Sequence, residues 1–197
     1  TVTGQSAAGF ISVTPTPVTN PSSSTLNFPL GDTRANNTTI ALNPDGSLSA
    51  VFKAVAGRHT HVILDVTGYF LNGGGESYFP PSPLRILDSR HGIGGMTAFQ
   101  ANMSMKIPVR SVFTIPSDAS AITANLTVTG QTKPGYVSVT LDPDNAPTTS
   151  TINFPLGDNR ANGLSIPIEM DGTVSAVYKA ASGKADLIMD VTGYYSN

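Results

Sequence analysis

The chain has 197 residues, with 11 basic and 13 acidic side chains and a formal net charge of −2 at pH 7. So small a charge, with so few lysines and arginines, argues against nucleic acid or an anionic membrane as the main partner. The absence of cysteine excludes disulfides and thiolate metal sites, and no apolar run of about 18 residues that could span a membrane occurs.

The first 71 residues form one copy of an internal repeat, and a second copy occupies the C-terminal part of the chain. Identical segments recur at four places: Thr1–Gln5 and Thr127–Gln131, Asn27–Asp32 and Asn153–Asp158, Arg34–Asn36 and Arg160–Asn162, and Asp65–Tyr69 and Asp190–Tyr194. Such self-similarity indicates two instances of one fold. We call residues 1–71 copy one and residues 78–197 copy two.

Residues 72–77 are interpreted as a linker between the two copies. The segment contains three consecutive glycines, Gly73–Gly75, which favour a flexible chain. Pro80, Pro81 and Pro83 follow, and they stiffen the entry into copy two.

Copy two shows the alternation of apolar and polar residues that is typical of half-buried β-strands. The predicted strands cover Leu84–Leu87, Met103–Val109, Ile122–Val128, Val137–Leu141, Ile152–Leu156, Ile166–Met170, Val174–Tyr178 and Leu187–Val191. Asp45-Gly46 and Asp171-Gly172 lie between strands and predict tight hairpin turns. Pro29 and Pro155 fall inside predicted strands, which indicates an edge strand or a bulge because proline has no N–H to donate.

Copy one has no counterpart of the opening third of copy two, residues 78–125. Short strands separated by turn residues predict an antiparallel β-sandwich, Ig-like or jelly-roll-like. The predicted fold is therefore all-β, with two tandem sandwich repeats of which the first lacks its N-terminal strands. Such a unit would expose apolar faces and strand edges. Either the chain is a slice of a longer array, or a neighbouring subunit donates the missing strands.

Copy two opens and closes with short motifs. The opening is Arg85–Arg90, Arg-Ile-Leu-Asp-Ser-Arg, followed by a Gly-rich turn, and the closing is Asp190–Tyr195, Asp-Val-Thr-Gly-Tyr-Tyr. Copy one has the closing motif at Asp65–Phe70 and no opening motif. With these motifs the chain resembles the tandem β-rich repeats of bacterial secreted and cell-surface proteins. The resemblance implies stalks or appended modules, and it brings no catalytic residues to carry over.

Polar motif residues recur in both copies although only 12% of the chain is charged. They are Asp32, Arg34, Asn36, Asp65, Arg85, Asp88, Arg90, Asp158, Arg160, Asn162 and Asp190. One interpretation is a ligand or Ca²⁺ site, and the other is a structural role in which arginines bond carboxylates and backbone carbonyls at strand ends. We favour the structural role, because both signs recur together and a buried charge must be paired.

Two further groups of residues are candidates for surface contacts. Phe10 and Tyr136 occupy the same outward position in the two copies, and Phe99 and Phe113 are other aromatics that we expect to be exposed. We interpret Phe10 and Tyr136 as contacts between subunits, because aromatics are enriched in interface cores. A carbohydrate-binding platform is the alternative. Candidate glycosylation sites in Asn-x-(Ser/Thr) sequons are Asn36, Asn37, Asn102 and Asn125.

The sequence predicts no enzyme, because it contains no Gly-x-Ser-x-Gly or His-Glu-x-x-His motif and no cysteine nucleophile. His59 and His61 occur in copy one alone and lack a third ligand, so we expect no metal and no cofactor. The predicted function is that of an extracellular or cell-surface structural protein, part of a filament, stalk or layer. Identical chains or neighbouring repeats would assemble head-to-tail. The alternative is a carbohydrate- or surface-binding module of a larger secreted protein.

Overall fold

The computed structural model describes residues 1–71 and 73–197, so Asn72 of the predicted linker lies outside the described residues. Those residues form antiparallel β-sheets with no helix, which confirms the predicted all-β class. The chain divides into an N-terminal unit, Thr1–Leu64, and a C-terminal unit, Asp65–Asn197. None of the described residues belongs to a helix with the length and hydropathy needed to cross a membrane.

The N-terminal unit contains two small sheets around a small core. Its strands are β1 (Val2–Thr3), β2 (Gly9–Thr14), β3 (Leu26–Phe28), β4 (Ser49–Lys53) and β5 (His61–Val62). One sheet has the order β3-β2-β4, and β1 pairs with β5 in a two-stranded ribbon. Val2, Ile11 and Phe28 are buried together, and Phe52 stacks on Phe28 with ring centroids 5.9 Å apart. Few side chains are therefore available to hold this unit together.

The C-terminal unit is a β-sandwich with one large core. Its strands are β6 (Ser77–Phe79), β7 (Leu84–Asp88), β8 (Phe99–Gln100), β9 (Ser104–Pro108), β10 (Ala121–Thr129), β11 (Gly135–Thr140), β12 (Ile152–Phe154), β13 (Arg160–Pro167), β14 (Thr173–Lys179) and β15 (Lys184–Ser196). One sheet has the order β13-β10-β15-β6, with β7 and β8 also paired to β15, and the other has the order β12-β11-β14-β9. Leu126 and Met189 of the first sheet pack in the same buried cluster as Ile107 and Tyr178 of the second.

Strand β10 follows the predicted alternation along its whole length. Ile122, Ala124, Leu126 and Val128 are buried, and the residues between them are half-buried. The strand lies between β13 and β15, so its backbone is paired on both sides. A nine-residue strand of this kind fixes the position of its two neighbours in the sheet.

Several predicted boundaries are wrong because proline and turn geometry end the strands early. Strands β3 and β12 stop immediately before Pro29 and Pro155, which have no N–H for a ladder bond. Both are edge strands, which the prolines did predict. Strand β13 ends at Pro167 rather than reaching Met170, because the Glu169 N–H turns back to donate to the Thr173 carbonyl.

The turn at Asp171-Gly172 is tight, but it is not a hairpin. The Gly172 N–H donates to the Glu169 carbonyl over 2.8 Å, and Gly172 has a φ of 85°. The flanking strands β13 and β14 belong to different sheets, so the turn carries the chain from one layer of the sandwich to the other. Strands β6 and β8 were not predicted, and β6 begins at Ser77, the last residue of the predicted linker.

Residues that repeat in the sequence make equivalent pairings in the two units. Gly9 pairs with Phe28 as Gly135 pairs with Phe154, and Val2 pairs with Val62 as Val128 pairs with Leu187. Strand β1 thus corresponds to the last two residues of β10. The N-terminal unit has no strands equivalent to β7, β8 and β9, nor to the first part of β10.

We predict a large difference between two alanine substitutions at equivalent positions. Leu64 and Met189 each precede the aspartate of a closing motif, but Leu64 is 58% exposed and Met189 is fully buried. Met189→Ala leaves a cavity in the sandwich core and should lower the free energy of unfolding by about 2–5 kcal/mol. Leu64→Ala should change it by less than about 0.5 kcal/mol. Urea unfolding of both variants measures this, and equal effects would contradict the assignment of these positions.

Candidate assembly interface

The closing strand of copy two, β15, is covered on both sides by other strands. It pairs with β10 along one edge and with β6, β7 and β8 along the other. Leu187, Met189 and Val191 are buried on its inner face. The closing motif of copy two is therefore a central element of its sheet.

An ion pair between the opening and closing motifs fastens β7 to β15. The Arg85 Nε donates to Asp190 Oδ1 over 2.8 Å, and Arg85 Nη2 donates to Asp190 Oδ2 over 3.1 Å. Such a bidentate arrangement is directional as well as charge-assisted. The hydrogen bond to Asp190 raises the pKa of the Arg85 guanidinium. The two residues stand at paired positions of the ladder, so the ion pair reports the correct register.

The rest of the opening motif fixes the turn after β7. Asp88 is buried, and it accepts hydrogen bonds from Arg90 Nε at 2.8 Å and Arg90 Nη2 at 2.7 Å. These bonds lower the pKa of the Asp88 carboxyl to about 2. Ser89 Oγ donates to Asp186 over 2.7 Å and accepts from the Leu187 N–H over 3.1 Å. Asp88 and Arg90 therefore stabilise the turn internally, and Ser89 bonds the turn to β15.

Two aromatic residues of β6 cover the end of the closing motif. The Tyr78 ring lies directly over Gly193, where a Cβ atom would be 2.1 Å from Tyr78 Oη. Tyr78 also lies beside Tyr195, and Phe79 stacks on Tyr194 with ring centroids 5.3 Å apart. The glycine of the motif is thus required by close approach of an aromatic ring.

The same closing motif in copy one is uncovered. Every residue from 61 to 70 is exposed, and of these only His61 and Val62 lie in a strand. The exposed apolar residues of this stretch are Val62, Ile63, Leu64, Val66, Tyr69 and Phe70. Within the described part of the chain, Asp65 has no hydrogen-bond or ion-pair partner, and no atom lies within 4 Å of the position of a Cβ on Gly68. We call residues 61–70 the closing segment of copy one.

The repeated Asp-x-Arg residues form a local ion pair in each unit. Arg34 Nε donates to Asp32 Oδ2 over 2.6 Å, and Arg160 Nε donates to Asp158 Oδ2 over 2.7 Å. Each arginine also donates to a backbone carbonyl of the preceding strand, Asn27 for Arg34 and Asn153 for Arg160. The geometry ties the loop that follows β3 or β12 back to that strand.

Amide side chains make a second set of repeated bonds. Asn36 Nδ2 donates to the Thr25 carbonyl and Asn162 Nδ2 to the Thr151 carbonyl, both over 2.7 Å. Gln131 Nε2 donates to the carbonyls of Pro155 and Asp158, as Gln5 Nε2 does to Pro29 and Asp32. The two glutamines were missed by sequence reasoning, although they end a segment that is identical in both copies.

The predicted glycosylation sites lie in different surroundings. Asn36, Asn37 and Asn102 are exposed, although the Nδ2 atoms of Asn36 and Asn102 already donate to backbone carbonyls. Asn125 is half-buried in the middle of β10, where it pairs with Gly163 on one side and Asp190 on the other. A glycan on Asn125 would therefore stand on the face of a completed sheet.

Three of the four aromatic residues singled out from sequence are less exposed than expected. Phe10 and Tyr136 are half-buried, and Tyr136 Oη donates to the Pro147 carbonyl over 3.2 Å. The expectation for Phe99 is wrong, because β8 pairs with β15 and places this ring in the core. Phe113 is exposed, as predicted. The most exposed tyrosine, Tyr69, belongs to the closing segment of copy one. Its exposure could have been predicted from the sequence, because copy one has the closing motif and no opening motif.

No three histidine, aspartate or glutamate side chains come together as a metal site in residues 1–71 and 73–197. No family model, curated protein or solved structure matches the chain. The resemblance suggested by the opening and closing motifs therefore stays a prediction.

We predict that the Asp88–Arg90 bond makes stability depend on pH in the acid range. The pKa of Asp88 falls from 3.8 to about 2 on folding, so its stabilising effect is complete above about pH 5 and is lost progressively as the pH falls through about 2. Arg90→Gln should raise this pKa and move the loss to higher pH. An NMR titration of the Asp88 carboxyl, with urea unfolding between pH 7 and 2, measures both effects.

Asp171 also has a lowered pKa, because Lys106 donates to it, so the wild-type acid profile contains more than one contribution. The comparison with Arg90→Gln isolates Asp88, since that variant leaves the Lys106–Asp171 pair in place. If Asp88 titrates at 3.8 in the wild-type protein, the ion pair does not form in solution.

Proposed function

We propose that the chain is a non-catalytic structural repeat protein of the extracellular space or cell surface. It would act as a subunit or segment of a filament, stalk or layer, assembled head-to-tail. One observation carries this proposal: the closing segment of copy one is exposed, whereas the same motif in copy two is a covered, central strand.

The exposed side chains of this segment are of the type that interfaces bury. Val62, Ile63, Leu64 and Val66 follow one another closely in sequence, and the equivalent residues Leu187, Ile188, Met189 and Val191 are all buried. Contiguous apolar surface of this kind marks an interaction site. Ile63 exchanges two backbone hydrogen bonds with Thr1 on one edge, and a strand edge that carries no further strand is a template for another one.

The difference between the two copies supports head-to-tail contact. Copy two already pairs its closing strand, so the exposed segment occurs in copy one alone, and its contact with copy two of a neighbouring chain would join unlike surfaces. An interface between unlike surfaces builds open chains unless its rotation closes a ring. Addition of a strand from a neighbour is a known way to complete a sheet and supplies main-chain hydrogen bonds.

The polar motif residues support a structural rather than catalytic role. Asp32, Asp88, Asp158 and Asp190 each bind an arginine of the same unit, so these carboxylates are engaged in holding loops and strands. The low charge and the Thr-, Ser- and Asn-rich composition are typical of secreted β proteins, which supports the extracellular location.

A carbohydrate- or surface-binding module is the second candidate function. Tyr69, Phe70, Tyr78 and Phe79 are exposed aromatics, and Phe70 lies 6.1 Å from Tyr195 between ring centroids. Exposed rings with a polar tip can stack on a sugar and hydrogen-bond to it. Binding of a glycan to the chain, abolished by Tyr69→Ala and unaffected by Phe113→Ala, would favour this function.

We predict concentration-dependent self-association that depends on the closing segment. Size-exclusion chromatography with light scattering should give species larger than the 20.4 kDa chain, and electron microscopy should show linear assemblies. Leu64→Lys should shift the distribution to the monomer, because it places a charge in the buried contact.

Leu42→Lys is the matched control, since Leu42 is 57% exposed in the same unit and lies outside the segment. It should leave association unchanged. A wild-type chain that stays at 20.4 kDa at all concentrations would refute the assembly.

A further inference from the structure

The C-terminal unit shows which kind of strand fits the exposed closing segment. Strand β7 pairs with β15 in the register Ile188 with Asp88, Met189 with Leu87, Asp190 with Arg85 and Val191 with Leu84. The equivalent residues of copy one are Ile63, Leu64, Asp65 and Val66, and none of them lies in a strand. The covering strand of copy two is thus a template for the strand that copy one lacks.

The charge of the segment matches this template. Asp190 is held by a bidentate pair from Arg85, and Asp65 stands at the same place of the motif without a partner among the described residues. A carboxylate flanked by apolar residues on both sides is a poor neighbour for a purely apolar peptide, because its burial requires a cation. An arginine in the added strand satisfies this requirement.

The spacing within the template adds a second criterion. The pairing shifts by one residue between Met189 and Asp190, so Ile86 is an extra residue of β7 that faces no partner. A bulge of this kind requires one residue between the arginine and the leucine of the added strand. A strand with the pattern Arg-x-Leu-Asp can pair its arginine and its leucine simultaneously, and a strand without the extra residue cannot.

The opening strand of this chain, β7, is not free to pair with the closing segment of copy one. Ile86, Leu87 and Asp88 are buried in the C-terminal unit, and β7 is already paired with β15. Strand β7 of this chain therefore does not pair with the closing segment of copy one as well.

We propose that residues 63–66 accept an opening strand other than β7, with the pattern Leu-Arg-x-Leu-Asp, as an added antiparallel strand whose arginine pairs with Asp65. This inference rests on the strand complementation within the proposed function. It goes further by stating the sequence, direction and register of the partner strand.

The test uses a fluorescently labelled peptide with the sequence of residues 82–92 and the full chain. Fluorescence anisotropy should show saturable binding. Hydrogen exchange should slow at the amides of Val62 and Leu64 and stay unchanged at Ile63, whose N–H already donates to the Thr1 carbonyl. Asp65→Asn should weaken binding about fivefold through loss of the ion pair, whereas Asp118→Asn, an exposed carboxylate elsewhere, should have no effect.

Two altered peptides provide the sharper controls. A peptide with Arg85→Asp should bind the wild-type chain poorly and regain affinity for the Asp65→Arg chain, which a role in folding alone would not produce. A peptide lacking Ile86 should bind at least about fivefold more weakly than the full peptide, because its arginine and leucine cannot both be in register.

Absence of saturable binding, equal affinity for the wild-type and Asp65→Asn chains, or equal affinity of the shortened peptide would each overturn this inference. Its failure is distinguishable from that of the proposed function. A chain that self-associates but does not bind the peptide refutes the partner strand alone. A chain that binds the peptide and stays monomeric refutes the filament alone.

Discussion

The need of a central β-strand for a neighbour on each side is the constraint on which the rest of this structure depends. In the C-terminal unit that need is met for β15, which carries β10 on one edge and three shorter strands on the other. Backbone N–H and C=O groups are then paired, and the opposite sheet of the sandwich covers the apolar face. The N-terminal unit keeps only a two-residue ribbon at the equivalent place, β1 with β5. The same motif is therefore a core element in one copy and a surface in the other.

The chain has few charged residues, and its ion pairs hold loops and strands in position. Several of the ion pairs join residues that are two apart in sequence, such as Asp158 and Arg160, and another joins residues opposite each other in the sheet, Arg85 and Asp190. The first kind shapes a loop and the second fixes a register. Since exposed ion pairs contribute little stability, their value here lies in the geometry they select.

Local pattern was enough to predict some of these features and not others. The alternation in β10 identified its buried residues because a long strand repeats the signal several times. The burial of Phe99 was missed because β8 has only two residues and depends on pairing with Ala185, far along the chain. The pairing of Arg85 with Asp190 spans 105 residues, so sequence indicated that both were structural but not that they were partners. Phe79 of β6 stacks on Tyr194, whereas no described strand covers the equivalent Tyr69, which is exposed.

The early ends of β3 and β12 have a consequence for how the molecule avoids the wrong contacts. Each is a three-residue edge strand followed by a proline, so a foreign chain finds too few successive backbone groups for a ladder there. Pairing of these two edges with strands of other molecules, which leads to aggregation, is therefore disfavoured. The exposed closing segment of copy one is the part of the backbone for which we propose a partner strand of matching sequence.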